Sequence, residues 1–157
     1  MRDAMTESAR LADQIQRAFN GKAWHGDSLM QLLKGVDAKR ASAKPIKNAH
    51  SIWELVLHIA AWDGAVLRYM SGKTVRVSKN ENFPVVRDTS AAAWTQAIEK
   101  MRQVHRELVK AVAEFPDSRL GEPVPGKTQS YYNYFYLFAG IAQHEIYHAG
   151  QIAMLKK

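Results

Sequence analysis

The chain has 157 residues, enough to bury the core of one domain, and we expect residues 1–157 to form a single domain. It contains no cysteine, which excludes a disulfide framework, a thiolate metal site and a cysteine nucleophile. Any metal ion must therefore be held by imidazole, carboxylate or water.

The chain is basic, with a net charge of +7 from 22 Lys and Arg against 15 Asp and Glu. Such an excess raises the question of nucleic-acid binding. The basic residues are scattered, however, and those at 100, 102, 106 and 110 share a predicted helix with Glu99, Glu107 and Glu114. Because charge excess alone reports on solubility and steering, we interpret these residues as a solvated surface and expect no nucleic-acid partner.

The N-terminal segment, residues 1–20, has the pattern of an amphipathic helix without an apolar signal core or a cleavage site. The longest apolar stretches are interrupted by His, Asp or Gln, so no segment is predicted to span a membrane. We therefore expect a cytoplasmic protein. The first helix is predicted over residues 4–20, with a break near Gly21 and a second helical stretch over residues 27–36.

Residues 37–47 are predicted to form a connection, because they are charged, lack an apolar stripe and contain Pro45. The next helix has a clear start, since Ser51 and Glu54 form a capping box. It is predicted to run to Ser71, with Gly72 as its stop. Residues 73–89 then form a polar connection with no defensible strand.

A third long helix follows, with Thr89 or Ser90 as its cap and Pro116 as its end. Residues 121–129 predict a loop or at most a short hairpin, and the last helix is expected over residues 130–155. Four long amphipathic helices joined by longer connections predict an all-α protein with the architecture of a four-helix bundle, a fold whose interior can hold metal sites.

Two histidines near the C-terminus lie in the pattern His-Glu-Ile-Tyr-His at residues 144–148. Four residues are about one helical turn, so His144 and His148 project from one face about 6 Å apart along the helix axis. An open metal site needs a third protein ligand from another element. His58 is the best candidate, because it lies on the core-facing stripe of its own helix.

The other histidines favour ordinary roles. His105 is expected to be a hydrogen-bonded core residue, while His25 and His50 lie where helices begin and suit capping or the surface. Burying His58, His144 and His148 without partners would cost roughly several kcal/mol, so a shared divalent ion such as zinc or nickel is the simplest explanation.

His-Glu-x-x-His is also the helix signature of zinc proteases, in which the glutamate is the general base. That interpretation fails on position, because only nine residues follow His148 and the extended motif would need glycine and histidine where Gln151 and Met154 stand. Glu145 remains the candidate catalytic residue, in contact with water bound to the metal. A contact between Glu145 and a neighbouring helix explains the residue equally well.

Three segments carry a resemblance to a known family: residues 23–29 (Ala-Trp-His-Gly-Asp-Ser-Leu), 50–59 (His-Ser-Ile-Trp-Glu-Leu-Val-Leu-His-Ile) and 144–152 (His-Glu-Ile-Tyr-His-Ala-Gly-Gln-Ile). The chain resembles the DinB-like (damage-inducible) metal-binding bundles over nearly its whole length. The resemblance implies a four-helix bundle, frequently dimeric, with a divalent metal on His58, His144 and His148. Relatives include thiol-cofactor-dependent transferases and isomerases, and many have no established reaction. The family name does not imply DNA binding.

Two classes of function follow. The first is a metal-dependent thiol transferase or hydrolase that acts on a small molecule, with a low-molecular-weight thiol as a possible cofactor. The second is a non-catalytic, metal-containing binding or stress-response module. Aromatic residues are candidates for the pocket lining, although such a cluster is more often core or the interface of a homodimer. These residues are Trp62, Tyr69, His105, Tyr131, Tyr132, Tyr134, Phe135, Tyr136 and Phe138.

Overall fold

The computed structural model describes residues 5–157, and the regular secondary structure in this part of the chain is helical. The four long helices are α1 (Glu7–Asn20), α4 (Ile52–Met70), α6 (Ala91–Ala113) and α7 (Tyr134–Leu155). The short helices are α2 (Leu29–Leu33), α3 (Ala38–Ser42) and α5 (Lys79–Asn82), and a 3₁₀ turn covers Asp117–Arg119.

The long helices form a bundle in which α1 and α4 each pack against both α6 and α7. This arrangement confirms the predicted all-α four-helix bundle with long connections. It also places α4 and α7, the two helices that carry the three candidate metal ligands, next to each other.

The capping residues explain where the long helices begin. At α4 the Glu54 N–H donates to the Ser51 hydroxyl at 3.1 Å, and the Ser51 N–H donates to the Glu54 carboxylate at 2.8 Å, as the sequence predicts. The α7 helix begins four residues later than predicted. Its cap is Asn133, whose side chain accepts the Tyr136 N–H at 2.9 Å, and the preceding chain is held by a bridge between Pro123 and Asn133.

The prediction that residues 37–47 lack a helix is wrong, because α3 forms there. Asp37 caps it by accepting the Arg40 N–H at 2.8 Å, and its buried face consists of Ala38 and Ala41. Two alanines are too small to register as an apolar stripe. The connection over residues 73–89 likewise contains α5, which Ser78 caps. Residue 4, where the first helix was predicted to begin, lies outside the described residues.

The core extends along the whole bundle and consists of two apolar clusters. One is centred on Ile15, Leu108 and Phe138, each fully buried, and joins α1, α6 and α7. The other contains Trp53 and Trp94, whose ring centroids lie 5.1 Å apart. It joins α4 to α6 and to the short helices. Over residues 5–157 no helix has both the length and the apolar character needed to cross a membrane.

A truncation in the first cluster tests this description of the core. Leu108 is fully buried, so Leu108→Ala removes apolar contacts and leaves a cavity. We expect the free energy of unfolding, measured by urea denaturation, to fall by about 2–5 kcal/mol. The control, Met154→Ala, changes a side chain that is 59% exposed. It should alter the free energy of unfolding by less than about 0.5 kcal/mol. Equal losses in both variants would contradict the assigned core.

Candidate metal centre

The three predicted ligands meet between α4 and α7. The Nε2 atom of His144 lies 2.9 Å from Nε2 of His58 and 3.1 Å from Nε2 of His148. His58 comes from the middle of α4, and the other two stand one turn apart on α7. The structure thus brings together the three histidines that the sequence selects.

Hydrogen bonds on the far side of two rings fix which nitrogen carries the proton. Nδ1 of His58 donates to the backbone carbonyl of Asn82 at 2.7 Å, and Nδ1 of His148 donates to Oε1 of Gln151 at 2.6 Å. In the neutral rings both Nε2 atoms therefore present lone pairs to His144. Nδ1 of His144 is buried and has no hydrogen-bond partner among the described residues.

The surroundings keep all three rings neutral. Burial is the main cause that lowers the pKa of His144, and the neighbouring His148 and His58 add to it, so that the pKa falls to about 3. Burial also lowers the pKa of His58 and of His148. Neutral imidazole is the form that binds a metal ion.

A divalent cation fits this donor set. In a tetrahedral site with nitrogen about 2.0–2.1 Å from zinc, the nitrogen atoms lie about 3.4 Å apart, close to the spacing here. Neutral rings bring at most one proton to the space between three Nε2 atoms, so hydrogen bonds among the rings cannot satisfy every lone pair. A cation satisfies them all, and the bonds to Asn82 and Gln151 orient the ligands as outer partners of a metal site do.

The connection between α4 and α6 closes one side of the site. The Phe83 ring stacks on His58 with the ring centroids 4.1 Å apart, and on its other face it stacks on His50 at 3.7 Å. The Asn82 side chain accepts the indole N–H of Trp62 at 2.8 Å. His50 therefore supports the site through Phe83 and does not join the cluster of Nε2 atoms.

On its other side the site opens into a cleft of about 610 Å³. Of the aromatic residues considered above, Trp62, Tyr132 and Tyr136 line this cleft, whereas Tyr134 and Phe138 are buried in the core. Tyr147 adds an aromatic wall that was not predicted and is 65% exposed, so the cleft reaches the protein surface.

A second polar cluster lies deeper in the bundle and joins α4, α6 and α7 through Asp63, His105 and Glu145, all fully buried. Nδ1 of His105 lies 2.9 Å from Oε1 of Glu145 and 3.3 Å from Oδ2 of Asp63. The ring of Phe19 stacks on His105 at a centroid distance of 3.7 Å. Here the Nδ1–H of His105 faces two carboxylates, so a proton stands where a cation would otherwise lie. Nε2 of His105, Oδ1 of Asp63 and Oε2 of Glu145 are buried without a hydrogen-bond partner among the described residues.

The charges of this cluster support that assignment. Burial opposes the charged form of His105, but Asp63 and Glu145 outweigh burial and raise the pKa of the imidazole to about 9. Burial raises the pKa of Glu145 to about 8 and also raises the pKa of Asp63. The pKa values of all three groups are thus raised, so the protonated forms of the cluster are favoured.

The structure thus separates Glu145 from the cleft. Of the two roles that the sequence leaves open for this residue, its position matches the contact with a neighbouring helix, since its carboxylate faces His105 on α6. His105 is a paired core residue, as expected, and does not line the cleft.

Sequence reasoning missed Asp63, Asn82 and Gln151. Asp63 stands on an apolar helix, where a buried carboxylate signals a buried partner. Gln151 follows His148 by three residues, a helical spacing that allows contact. Asn82 binds His58 through its backbone, which no residue pattern reports.

The Asp63–His105–Glu145 cluster predicts a pH dependence of stability. The pKa of His105 is about 9 in the folded state and 6.5 in the unfolded state, so proton binding to His105 stabilises the fold. This contribution is complete below pH 6.5 and is lost as the pH rises through about 9. We expect the free energy of unfolding of the metal-free protein to fall between these pH values, and to fall less in His105→Gln. Urea denaturation at several pH values measures the slope of the free energy of unfolding against pH for each protein. Equal slopes in the two proteins would contradict a charged His105.

Comparison with known proteins places this geometry in a family. The model of the DinB superfamily matches residues 23–152, a range that includes all three histidines of the site. Neither the curated proteins nor the solved structures contain a significant match. Because the family model covers most of the chain, the protein belongs to the DinB superfamily.

Proposed function

We propose that this protein is a metal-dependent enzyme, a thiol transferase or a hydrolase, that acts on a small molecule in the cleft. His58, His144 and His148 hold the divalent cation, with zinc or nickel as the candidate metals. The observation that carries the proposal is the convergence of the Nε2 atoms of three neutral histidines beside a cleft that reaches the surface.

The chemistry of the ligands bounds the reaction. A divalent cation on three neutral imidazoles keeps its full charge and supplies Lewis acidity, which lowers the pKa of a water or thiol that it binds. The residues of the chain orient the ligands, through Asn82 and Gln151, and exclude water on the side that Phe83 covers. A low-molecular-weight thiol is the proposed co-substrate for the transferase.

The alternative is a metal-containing binding or stress-response module without turnover. A closed metal site would favour this alternative, and an open position beside a ligand-sized cavity favours an enzyme. The cleft of about 610 Å³ therefore supports the enzyme. We propose that the protein is located in the cytoplasm.

We also propose that the protein is a homodimer. The aromatic start of α7 presents exposed rings, among them Tyr131 at 59% and Phe135 at 44% exposed. Neither ring lines the cleft. Aromatic residues grouped on a surface are typical of protein interfaces.

The metal site is tested by elemental analysis of the purified protein, which should contain about one divalent ion per chain. His58→Ala or His144→Ala should remove most of the metal and lower the melting temperature, because binding to the folded state adds to its stability. The matched control is His25→Ala, which changes an exposed histidine outside the site. Unchanged metal content in the His58 and His144 variants would refute the site.

The dimer is tested by light scattering at micromolar concentration, which should give twice the chain mass of 17.7 kDa. Replacing Tyr131 and Phe135 together with serine should shift the mass toward the monomer. Ile46→Ser, at a site 46% exposed on another part of the surface, serves as the control. A monomeric wild-type protein would count against the proposal.

A further inference from the structure

The walls of the cleft beside the three histidines are apolar and aromatic. Its lining, apart from the histidines, consists of Trp62, Val66, Asn82, Tyr132, Tyr136, Leu137, Gly140, Ile141, Gln143 and Tyr147. The rings of Tyr132 and Tyr136 pack edge to face with their centroids 5.0 Å apart. The centroid of the Trp62 ring lies 5.9 Å from that of His144. The Trp62 ring therefore stands beside one of the three histidines, and Tyr132 and Tyr136 add two further rings to the wall of the cleft.

The lining contains no Lys, Arg, Asp or Glu within the described residues, although the chain carries 22 Lys and Arg. One cation lies close by, but Lys127 is held over the rings of Tyr132 and Tyr69, at 4.7 and 5.5 Å from their centroids. A larger cavity of about 940 Å³ between α1, α2 and α6 differs in this respect, since Lys34, Arg102 and Arg106 line it. Basic residues are thus available to cavities of this protein and are absent from the walls of this one.

Apart from the histidines, the polar groups of the lining are uncharged: the amides of Asn82 and Gln143 and the hydroxyls of Tyr132, Tyr136 and Tyr147. Both oxygen atoms of Asn82 accept hydrogen bonds, from His58 and from Trp62. A ligand carboxylate placed against these walls, out of reach of a cation on the three histidines, would lose its water and meet no Lys or Arg of the lining, a costly exchange. An uncharged body with an aromatic or aliphatic surface would lose little water and gain contacts with the rings.

Gly140 provides the space for such a body. It stands one helical turn before His144 on α7, and a Cβ atom added there would meet nothing within 4 Å. Glycine inside a helix costs about 1 kcal/mol relative to alanine. Its use at this position keeps a volume free directly beside the candidate metal ligands.

We propose that the cleft selects an uncharged ligand with an aromatic or other apolar body and one sulfur or oxygen donor atom directed at the histidines, and that it discriminates against thiols bearing carboxylates. The proposal rests on the proposed function, because the donor atom needs the cation. It defines the substrate class by the walls of the cleft.

Isothermal titration calorimetry of the zinc-loaded protein with two thiols tests the selection. Benzyl mercaptan is the uncharged aromatic probe, and 4-(mercaptomethyl)benzoate has the same ring and donor sulfur with one carboxylate that cannot reach the same zinc ion; each thiol loses its proton to the buffer on coordination. We expect benzyl mercaptan to bind at least about tenfold more tightly. Equal affinities, or tighter binding of 4-(mercaptomethyl)benzoate, would overturn the proposal.

A variant that fills the cleft locates the binding. Gly140→Leu should weaken benzyl mercaptan binding by about tenfold or more while the zinc content stays at one per chain. Gly150→Leu is the matched control on the same helix, because Gly150 is exposed, lies outside the cleft and also has space for a Cβ atom. Loss of affinity in both variants, or in neither, would place the ligand elsewhere.

A third measurement separates this proposal from the metal site. If the protein binds no zinc, the proposed function fails, and 1-naphthol, which needs no metal, then tests the cleft alone. Binding of 1-naphthol that Gly140→Leu weakens and Gly150→Leu leaves unchanged supports an apolar cleft. Binding that neither variant affects contradicts it.

Discussion

The candidate metal site depends on the close approach of three imidazole nitrogens, at least two of which carry lone pairs, held together by the packing of α4 against α7. Lone pairs facing one another at about 3 Å repel unless a proton or a cation lies between them. The apolar packing of the bundle holds the helices at this separation, and the carbonyl groups of Asn82 and Gln151 hold the tautomers. The orientation and basicity of two of the three candidate ligands are thus set by groups that would lie outside the coordination shell of a metal ion.

The two buried polar clusters contrast in how they satisfy the same physical demand. In the His58 cluster the outward nitrogens of His58 and His148 donate, so their inward nitrogens lack protons. In the His105 cluster the N–H itself points inward, at Asp63 and Glu145. Neighbouring residues of α7 therefore serve different purposes: His144 turns its Nε2 toward the other two histidines, and Glu145 turns a carboxylate into the core. A single helix can do both because successive residues are rotated by about 100°.

The long helices and the three histidines could be read from the sequence because helical spacing and capping motifs act locally. The capping box at Ser51 and the pair at 144 and 148 need only a few residues to be recognised. The short helix at Ala38–Ser42 escaped prediction because alanine faces give a weak pattern. The partner of His58 escaped it for another reason: Asn82 lies 24 residues away and acts through its backbone carbonyl, which every residue possesses. Long-range contacts of this kind are set by the fold as a whole.

The stack of His50, Phe83 and His58 has a consequence for how such proteins diverge. Residues 78–83, which include the short helix α5, belong to the connection between α4 and α6. Connections generally accept insertions and exchanges more readily than long helices do. Here the connection supplies the carbonyl that fixes one imidazole and the ring that covers it. Grafting this segment from a distant relative would therefore transplant part of the coordination environment. In this bundle, exchanging the connection would also change the surroundings of the candidate metal ligands.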